Sequence, residues 1–427
     1  MPDAKEDAPT PAGAPPSAHR ARLGGFAAAD VAARFKPRAI CFADFVTARP
    51  GWLVVAALIL ASFLRSGIVV WNWFELSPGL LTNWDKPGNA FQSNLLFNAL
   101  GTAWQGAGLD PTSLVWLLVQ VGLSLLVFAL VAVLLIRRFG LHDAYLPLAV
   151  FLASGLGAVL WREIGRYDAL FIAGVCLAVL ARRTWIAWVG VAIAALSSPE
   201  QLLVAAVLLV LLAVLPDFRD WLTVGLRLLA GAVAVLVAVQ VWFTLEGNPY
   251  QTRIGVLFPF ISGETISAAT AYDPKQGFVK FTIEKAMVTL SAGPSLVWSF
   301  LGVATLFVLL FAVVQRGWIR ALYLLLVVVA APILVSTVVG EDRTRDLVLV
   351  VAPLLLVVIV VGSEVTRALV ERLPGGSRTW LVWLAALATV IPLTYFYLYA
   401  EEPFRFVKEL VIALNNGVPL EMDGGAR

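Results

Sequence analysis

The sequence is poor in the residues that soluble and metal-dependent proteins use. Only 14% of its 427 residues are charged, whereas a soluble domain carries about 25%. The two cysteines, Cys41 and Cys176, support no disulfide framework, because one lies in a basic N-terminal arm and the other in an apolar segment. Two histidines leave no histidine-based metal site. The composition excludes a cytosolic enzyme and a nucleic-acid-binding protein.

Apolar residues make up 60% of the chain, in long blocks, and the mean hydropathy is +0.87. A helix needs about 20 apolar residues to cross a hydrocarbon layer roughly 30 Å thick. The blocks therefore predict an all-α, polytopic transmembrane helix bundle of about 11 spans, in a range of roughly 9 to 13 because several blocks are short. The predicted spans are residues 52–73, 112–136, 144–161, 168–181, 184–198, 200–215, 222–244, 292–314, 321–340, 346–362 and 379–399.

The charges between the spans predict their orientation. If the N-terminus is inside, the inside segments hold 18 Lys/Arg and 10 acidic residues, and the outside segments hold 13 and 18. Basic residues favour the cytoplasmic side of a membrane. We therefore expect a multi-pass protein of the cell membrane with a cytoplasmic N-terminus and an extracytoplasmic C-terminus. The active face is expected to be extracytoplasmic, because the outside loops are longer and chemically richer.

The chain divides into three predicted regions. Residues 1–50 form a basic cytoplasmic arm, Pro/Ala-rich and disordered at its start, with apolar spacing near 26–45 that favours an interfacial helix. Residues 51–400 form the bundle, and residues 401–427 form a short extracytoplasmic tail. The extracytoplasmic loops are residues 74–111, 162–168, 197–201, 245–291 and 340–346.

The first outer loop contains a carboxylate, Asp85, in the sequence NWDKPG. At the membrane boundary Asp85 could serve as a general base, or it could be a solvated residue of an interfacial aromatic belt. An amphipathic helix is predicted at 91–104, with Asn94 and Asn98 on its polar face. The other charged residues before this helix are Glu75 and Lys86.

A second charged cluster, WREIGRYD, joins two predicted spans. On a continuous helix Arg162 and Arg166 would share a face, and Glu163 would neighbour Arg166. Asp168 ends the cluster. Charges this close to hydrocarbon are costly unless they are paired or functional. The cluster indicates either a salt-bridged helix corner or a site for an anionic headgroup.

Two further turns carry charge. In GEDRTRD, at residues 340–346, five of seven residues are charged. Arg343 and Arg345 could form a clamp for a phosphate or pyrophosphate, with an acid such as Asp342 orienting the two guanidinium groups. The alternative is a solvated loop. In SSPEQ, Glu200 stands near a helix start with Ser198 as the expected cap. Glu200 could also line a cavity.

In its layout the chain resembles the C-type glycosyltransferase superfamily, multispanning enzymes that use polyprenyl-phosphate-linked sugars. The similar features are a cytoplasmic N-terminus, a first outer loop with a carboxylate and interfacial helices, and short paired spans joined by charged outer turns. The matching segments are NWDKPG with Asp85, WREIGRYD, SSPEQ and EDRTRD, and the resemblance covers about residues 50–400. Many members of the superfamily pair two acids in the first loop, whereas Lys86 follows Asp85 here.

The resemblance implies a sugar transfer to an extracytoplasmic acceptor, with Asp85 as the base that deprotonates the acceptor hydroxyl. Arg343 and Arg345 would stabilise the leaving lipid phosphate, and Arg162 and Arg166 would help to bind it. The implied supporting residues are Glu75, Lys86, Glu163, Asp168, Glu200 and Asp342. The implied partners are a polyprenyl-phosphate-linked sugar, a glycan, lipid or protein acceptor, and membrane lipids. No cofactor is implied, and no ligand pattern favours a divalent metal.

Three alternatives share the same loops. A lipid or polysaccharide transporter, or a flippase-like protein, would bind headgroups without making bonds. A non-catalytic membrane subunit of an envelope-assembly complex would have no pocket. A polysaccharide polymerase would also have arginine-rich outer loops. The enzyme predicts that Asp85 and Arg343 converge on one outward pocket, whereas a transporter predicts a path to the inner face.

Overall fold

The computed structural model describes residues 51–67, 94–109, 114–162, 164, 166–245, 317–327, 343–371 and 382–385. Within these ranges every regular element is a helix, and no strand occurs. Three of the described helices are long and apolar enough to cross a membrane, namely Val115–Phe139, Pro216–Trp242 and Val348–Ala368. The chain is therefore an all-helical membrane protein. The predicted arm 1–50, the span 292–314, the loop 245–291 and the tail 401–427 lie outside the described residues.

The helices are labelled α1 to α11 in chain order. The first six are α1 Gly51–Ser66, α2 Leu95–Gly106, α3 Leu114–Phe139, α4 Tyr145–Ala153, α5 Gly155–Arg162 and α6 Asp168–Leu180. The remainder are α7 Thr184–Ser197, α8 Pro199–Leu212, a 3-10 helix Pro216–Trp221, α9 Leu222–Leu245, α10 Trp318–Leu325 and α11 Arg343–Val370.

Helix α11 lies at the centre of the described bundle. Every residue from Val348 to Val360 is buried, and the helix contacts α4, α5, α6 and α8. A helix that is apolar on all sides is stable only where other helices enclose it. Pro353 stands inside α11, where its ring removes one backbone hydrogen bond and favours a bend.

The segment predicted as one span at 144–161 is two helices, α4 and α5, that meet at Ser154. The Ser154 hydroxyl accepts a hydrogen bond from the Leu156 N–H at 3.3 Å and so caps α5. A Cβ on Gly155 would lie 2.5 Å from a methyl group of Val348 in α11. Apolar periodicity did not reveal the break, because both halves are apolar throughout and only the serine cap and the close glycine mark it.

Helices α6 and α7 form a tight hairpin. A Cβ on Gly174 would lie 2.4 Å from the Ala194 backbone nitrogen, and a Cβ on Gly190 would lie 2.5 Å from that of Ala178. Two glycines thus face each other across the helix pair. In a membrane, small residues let helix backbones approach and gain packing that the hydrophobic effect does not supply.

The outer surface of the bundle is apolar. Large side chains with high exposure occur along α3 and α9, for example Leu126 and Val237. Trp52 and Trp185, near the starts of α1 and α7, are more than 60% exposed. Tryptophan is enriched where a membrane helix meets the water interface, so this distribution is that of a lipid-facing surface.

Candidate functional site

One end of the bundle is defined by contacts around Arg138, near the end of α3. The Arg138 guanidinium pairs with Glu364 of α11 at 3.3 Å and lies 5.2 Å from the Trp221 ring centroid. The Arg182 guanidinium donates to the Arg138 carbonyl oxygen at 3.2 Å. The ends of α3 and α6, the late part of α11 and the start of α9 therefore meet here, and this is called the Arg138 end.

Helices α4 and α5 run antiparallel to α11. Arg367 of α11 pairs with Asp143, just before α4, at 2.9 Å, and Val348 of α11 touches Gly155 at the start of α5. If α5 is followed to its last residue and α11 is followed back to its first residue, both lead away from the Arg138 end. The opposite end of the bundle is called the Asp168 end, because α6 begins there.

Three of the four charged clusters predicted from the sequence are brought to the Asp168 end. They are the end of α5 with the start of α6, the α7–α8 turn, and the start of α11. For Arg162, Arg343 and Arg345 the structure describes only the backbone. The predicted residues Glu75, Asp85, Lys86, Glu163 and Asp342 lie outside the described residues.

The helices that carry this end differ in length. From Arg182 back to Asp168 the chain rises about 20 Å, and from Glu364 back to Arg343 it rises about 31 Å. Helix α6 is therefore shorter than α11, and α7 and α8, with 14 residues each, are of similar length to α6.

The helix ends at the Asp168 end carry a group of buried polar side chains, which is called the polar layer. Asp168 is 1% exposed and Glu200 is 5% exposed. Carboxylates buried this deeply are stable only with partners, and both residues interact with a neighbouring group. The sequence predicted these two acids but missed Gln201, which is also buried. The other buried members of this polar layer are Ser197 and Ser198.

Helix α2, in the loop that also contains Asp85, packs at the same end. The Trp104 ring lies 4.9 Å from that of Trp116, in the first turn of α3, and α2 contacts α7. A helix is present where one was predicted, at Leu95–Gly106 rather than 91–104, and it buries Asn98 whereas Leu100 is exposed. Beside lipid, an apolar side chain loses nothing by facing outward, so polar groups turn toward the protein.

The segment WREIGRYD joins two helices, as the sequence indicated, and it is not a continuous helix. Because α5 ends at Arg162 and α6 begins at Asp168, Arg162 and Arg166 do not share a helix face. Ser198 occupies the N-cap position of α8, but its side chain makes no capping hydrogen bond. The dipole argument for Glu200 still applies, since it stands in the first turn of α8.

Sequence reasoning missed a polar network inside the bundle. Arg65, in the last turn of α1, donates from its guanidinium to the Leu152 carbonyl oxygen at 2.6 Å. The Ser62 hydroxyl donates to the same oxygen at 3.3 Å and accepts from the Trp161 indole N–H at 3.1 Å. The signals were a lone arginine in a span and a serine one turn before it.

Among the described residues, no group of three or more His, Cys, Asp or Glu side chains is placed to hold a metal ion. The buried side chains described at the Asp168 end are carboxylates, an amide and hydroxyls. Comparisons of the chain with protein families, with curated proteins and with solved structures find no match.

Proposed function

We propose that this protein is an integral-membrane glycosyltransferase that moves a sugar from a polyprenyl-phosphate donor to an extracytoplasmic acceptor. One observation carries the proposal. Charged segments that are far apart in the sequence, at Arg162, Asp168, Glu200 and Arg343, come to the same end of the described bundle. A lipid-linked donor would have its phosphate near the end of the bundle, where such a polar region would bind it.

In the proposed reaction, Asp85 takes the proton of the acceptor hydroxyl. The hydroxyl oxygen forms the new bond to the anomeric carbon of the sugar, and the bond from that carbon to the phosphate oxygen breaks. The lipid phosphate leaves with the electron pair, and the configuration at carbon inverts. Arg343 and Arg345 stabilise the negative charge on the leaving phosphate, a task suited to preorganised cations.

The buried polar layer has a separate part in this proposal. Asp168, Glu200 and Gln201 are side chains that accept or donate hydrogen bonds to sugar hydroxyls. Helices α6 and α8 both contact α11, so a sugar bound by these side chains would lie near a phosphate held at the start of α11. Arg162 and Arg166 add cations near the same phosphate. The position of α2 at this end supports bringing the loop with Asp85 there as well.

The test is sugar transfer by the purified protein in lipid nanodiscs, with a panel of radiolabelled polyprenyl-phosphate hexoses and pentoses and total envelope glycan as acceptor. We expect Asp85→Asn to abolish transfer and Arg343→Ala to raise the apparent donor KM at least tenfold. Arg320→Ala is the matched control, since Arg320 lies at the other end in an exposed pair with Asp217. Full transfer by Asp85→Asn would remove this residue from the reaction.

A transporter of lipid-linked saccharide is the second candidate, and the interruption of α4–α5 at Ser154 favours it. Interrupted helices often form the substrate sites of membrane transporters. A flipping assay on the same nanodisc preparation, reconstituted into vesicles, separates the two. Movement of a labelled lipid-linked sugar between leaflets without transfer supports the transporter, and transfer without movement supports the enzyme.

A further inference from the structure

The Arg138 end contains a set of buried polar atoms that the proposed transfer does not use. Within the described part of the chain, four side-chain atoms there are buried and have no hydrogen-bond partner: Arg138 Nε, His142 Nδ1, Tyr145 Oη and Ser363 Oγ. Buried polar atoms are nearly always paired in proteins, and each unpaired one destabilises the folded state. Four such atoms in one region indicate that a bound group supplies their missing hydrogen-bond partners.

Several contacts connect these residues in one junction. Arg138 pairs with Glu364, which follows Ser363 in α11. One helical turn after Ser363, Arg367 pairs with Asp143, which follows His142. The His142 and Tyr145 rings are edge-to-face, with centroids 5.8 Å apart. The four residues therefore lie in one region, where the α3–α4 turn and the start of α4 meet the late part of α11, and the Tyr145 ring also packs in a cluster with Val382 and Ala385.

The side chains at the junction are hydrogen-bond donors, which suits them to binding an anion. Arg138 Nε can only donate, and the hydroxyls of Tyr145 and Ser363 and the ring of His142 can all donate as well. The nearby carboxylates of Asp143 and Glu364 pair with Arg367 and Arg138, and neither is a hydrogen-bond partner of the four unpaired atoms. Tyr145 also opens α4, whose N-terminus favours negative charge.

The surroundings of the junction are basic. The described residues near this end include eight arginines, namely 137, 138, 182, 183, 219, 227, 320 and 367. They include five acids, namely Asp143, Asp217, Asp220, Glu364 and Glu371. The difference, 8 − 5, is +3. The Arg138 side chain is 29% exposed, so a ligand can reach its guanidinium from the level of the lipid headgroups.

We propose that the junction of the α3–α4 turn with α11 binds a phosphate group, supplied by the headgroup of an anionic lipid in the leaflet at this end. Arg138, Tyr145 and Ser363 donate to the phosphate oxygens, and His142 adds a fourth donor. The same chemistry would accept free phosphate, but the position at the membrane boundary favours the lipid. The site lies at the other end of the bundle from the proposed transfer site, so either proposal can fail without the other.

The test uses the full-length protein, delipidated in detergent and titrated with phosphatidylglycerol or phosphatidylcholine, with bound lipid counted by native mass spectrometry. A separate arm titrates inorganic phosphate and follows the thermal unfolding temperature. The variants are Tyr145→Phe and Ser363→Ala, each of which removes only a hydroxyl that has no protein partner. Both are expected to fold at least as stably as the original chain, because no protein hydrogen bond is lost.

We expect the original chain to retain phosphatidylglycerol over phosphatidylcholine and each variant to lose about tenfold in affinity for it. The matched control is Tyr323→Phe, since the Tyr323 hydroxyl donates to the Leu211 carbonyl oxygen at the same end; its lipid affinity should not change. Protection by inorganic phosphate that both variants weaken, without lipid preference, would assign the site to soluble phosphate. Equal phosphatidylglycerol affinity in all four proteins would overturn the proposal.

Discussion

The Arg65 guanidinium donates a 2.6 Å hydrogen bond to the carbonyl oxygen of Leu152, on a different helix. This carbonyl lies two residues before Ser154, where α4 stops and α5 begins. The Leu156 N–H, its partner in a continuous helix, donates to the Ser154 hydroxyl instead. Arg65 of α1 thus supplies a hydrogen-bond donor to the carbonyl oxygen that has lost its helical partner at the interruption. The same contact holds α1 against α4.

Replacing Arg65 should therefore destabilise the protein. Arg65→Met keeps the apolar stem but leaves the Leu152 carbonyl with only the weaker Ser62 donor. We expect a loss of about 1–3 kcal/mol, with a smaller loss for Arg65→Lys because it retains one donor. Chemical unfolding in detergent measures this. Arg320→Met is the control and should change stability by less than about 1 kcal/mol, because its ion pair is exposed. Equal effects of the two methionine variants would contradict the role of Arg65.

The α6–α7 hairpin should be intolerant of side chains at its glycines. In Gly174→Ala the new Cβ would meet the Ala194 backbone nitrogen at 2.4 Å, and backbone cannot move aside cheaply. We expect a loss of about 1–3 kcal/mol, typical of overpacking. The matched control is Gly122→Ala in α3, where a Cβ meets no atom within 4 Å. It should be neutral or stabilise by up to about 1 kcal/mol, since alanine is the better helix former. Thermal unfolding of both variants measures the contrast.

The acids at the two ends of the bundle differ in how much of the side chain is exposed. Asp168 is 1% exposed, whereas the Glu364 side chain is 53% exposed. Asp168→Asn leaves the partner of a buried carboxylate without its charge, which costs about 1–3 kcal/mol. Glu364→Gln breaks a surface pair worth less than about 1 kcal/mol. The unfolding free energies of the two variants give the comparison, and a larger loss for Glu364→Gln would contradict the placement of Asp168 in the polar layer.

The ion pairs of Arg367 are expected to be minor for stability. Arg367 contacts Asp143 and Glu371, but its side chain is 47% exposed. Arg367→Gln should lower stability by less than about 1 kcal/mol at low salt. At 1 M salt, where charges are screened beyond roughly 3 Å, the difference should shrink further. Unfolding at both salt concentrations checks this; a loss that does not depend on salt would point to packing by the arginine stem instead.

The sequence predicted an all-helical membrane protein, and the described residues confirm this, because long apolar blocks leave few alternatives to membrane helices. The 11 spans and their orientation stay predictions. It also predicted the amphipathic helix α2 and the acids at the starts of α6 and α8. It did not predict the break at Ser154, because apolar periodicity continues through both halves. Nor did it predict which face of α2 is buried, since that depends on whether lipid or water lies outside the helix.

The amino-acid sequence by itself determined that this chain is an α-helical membrane protein and which of its turns carry charge. The reason is that hydrocarbon accepts only backbone whose hydrogen bonds are satisfied within the segment, a condition that apolar blocks reveal directly. Only the tertiary structure decided which charged turns lie at the same end of the bundle. Helix lengths and close contacts such as Gly155 with Val348 set the heights and directions of the helices, and these depend on packing between residues far apart in the chain.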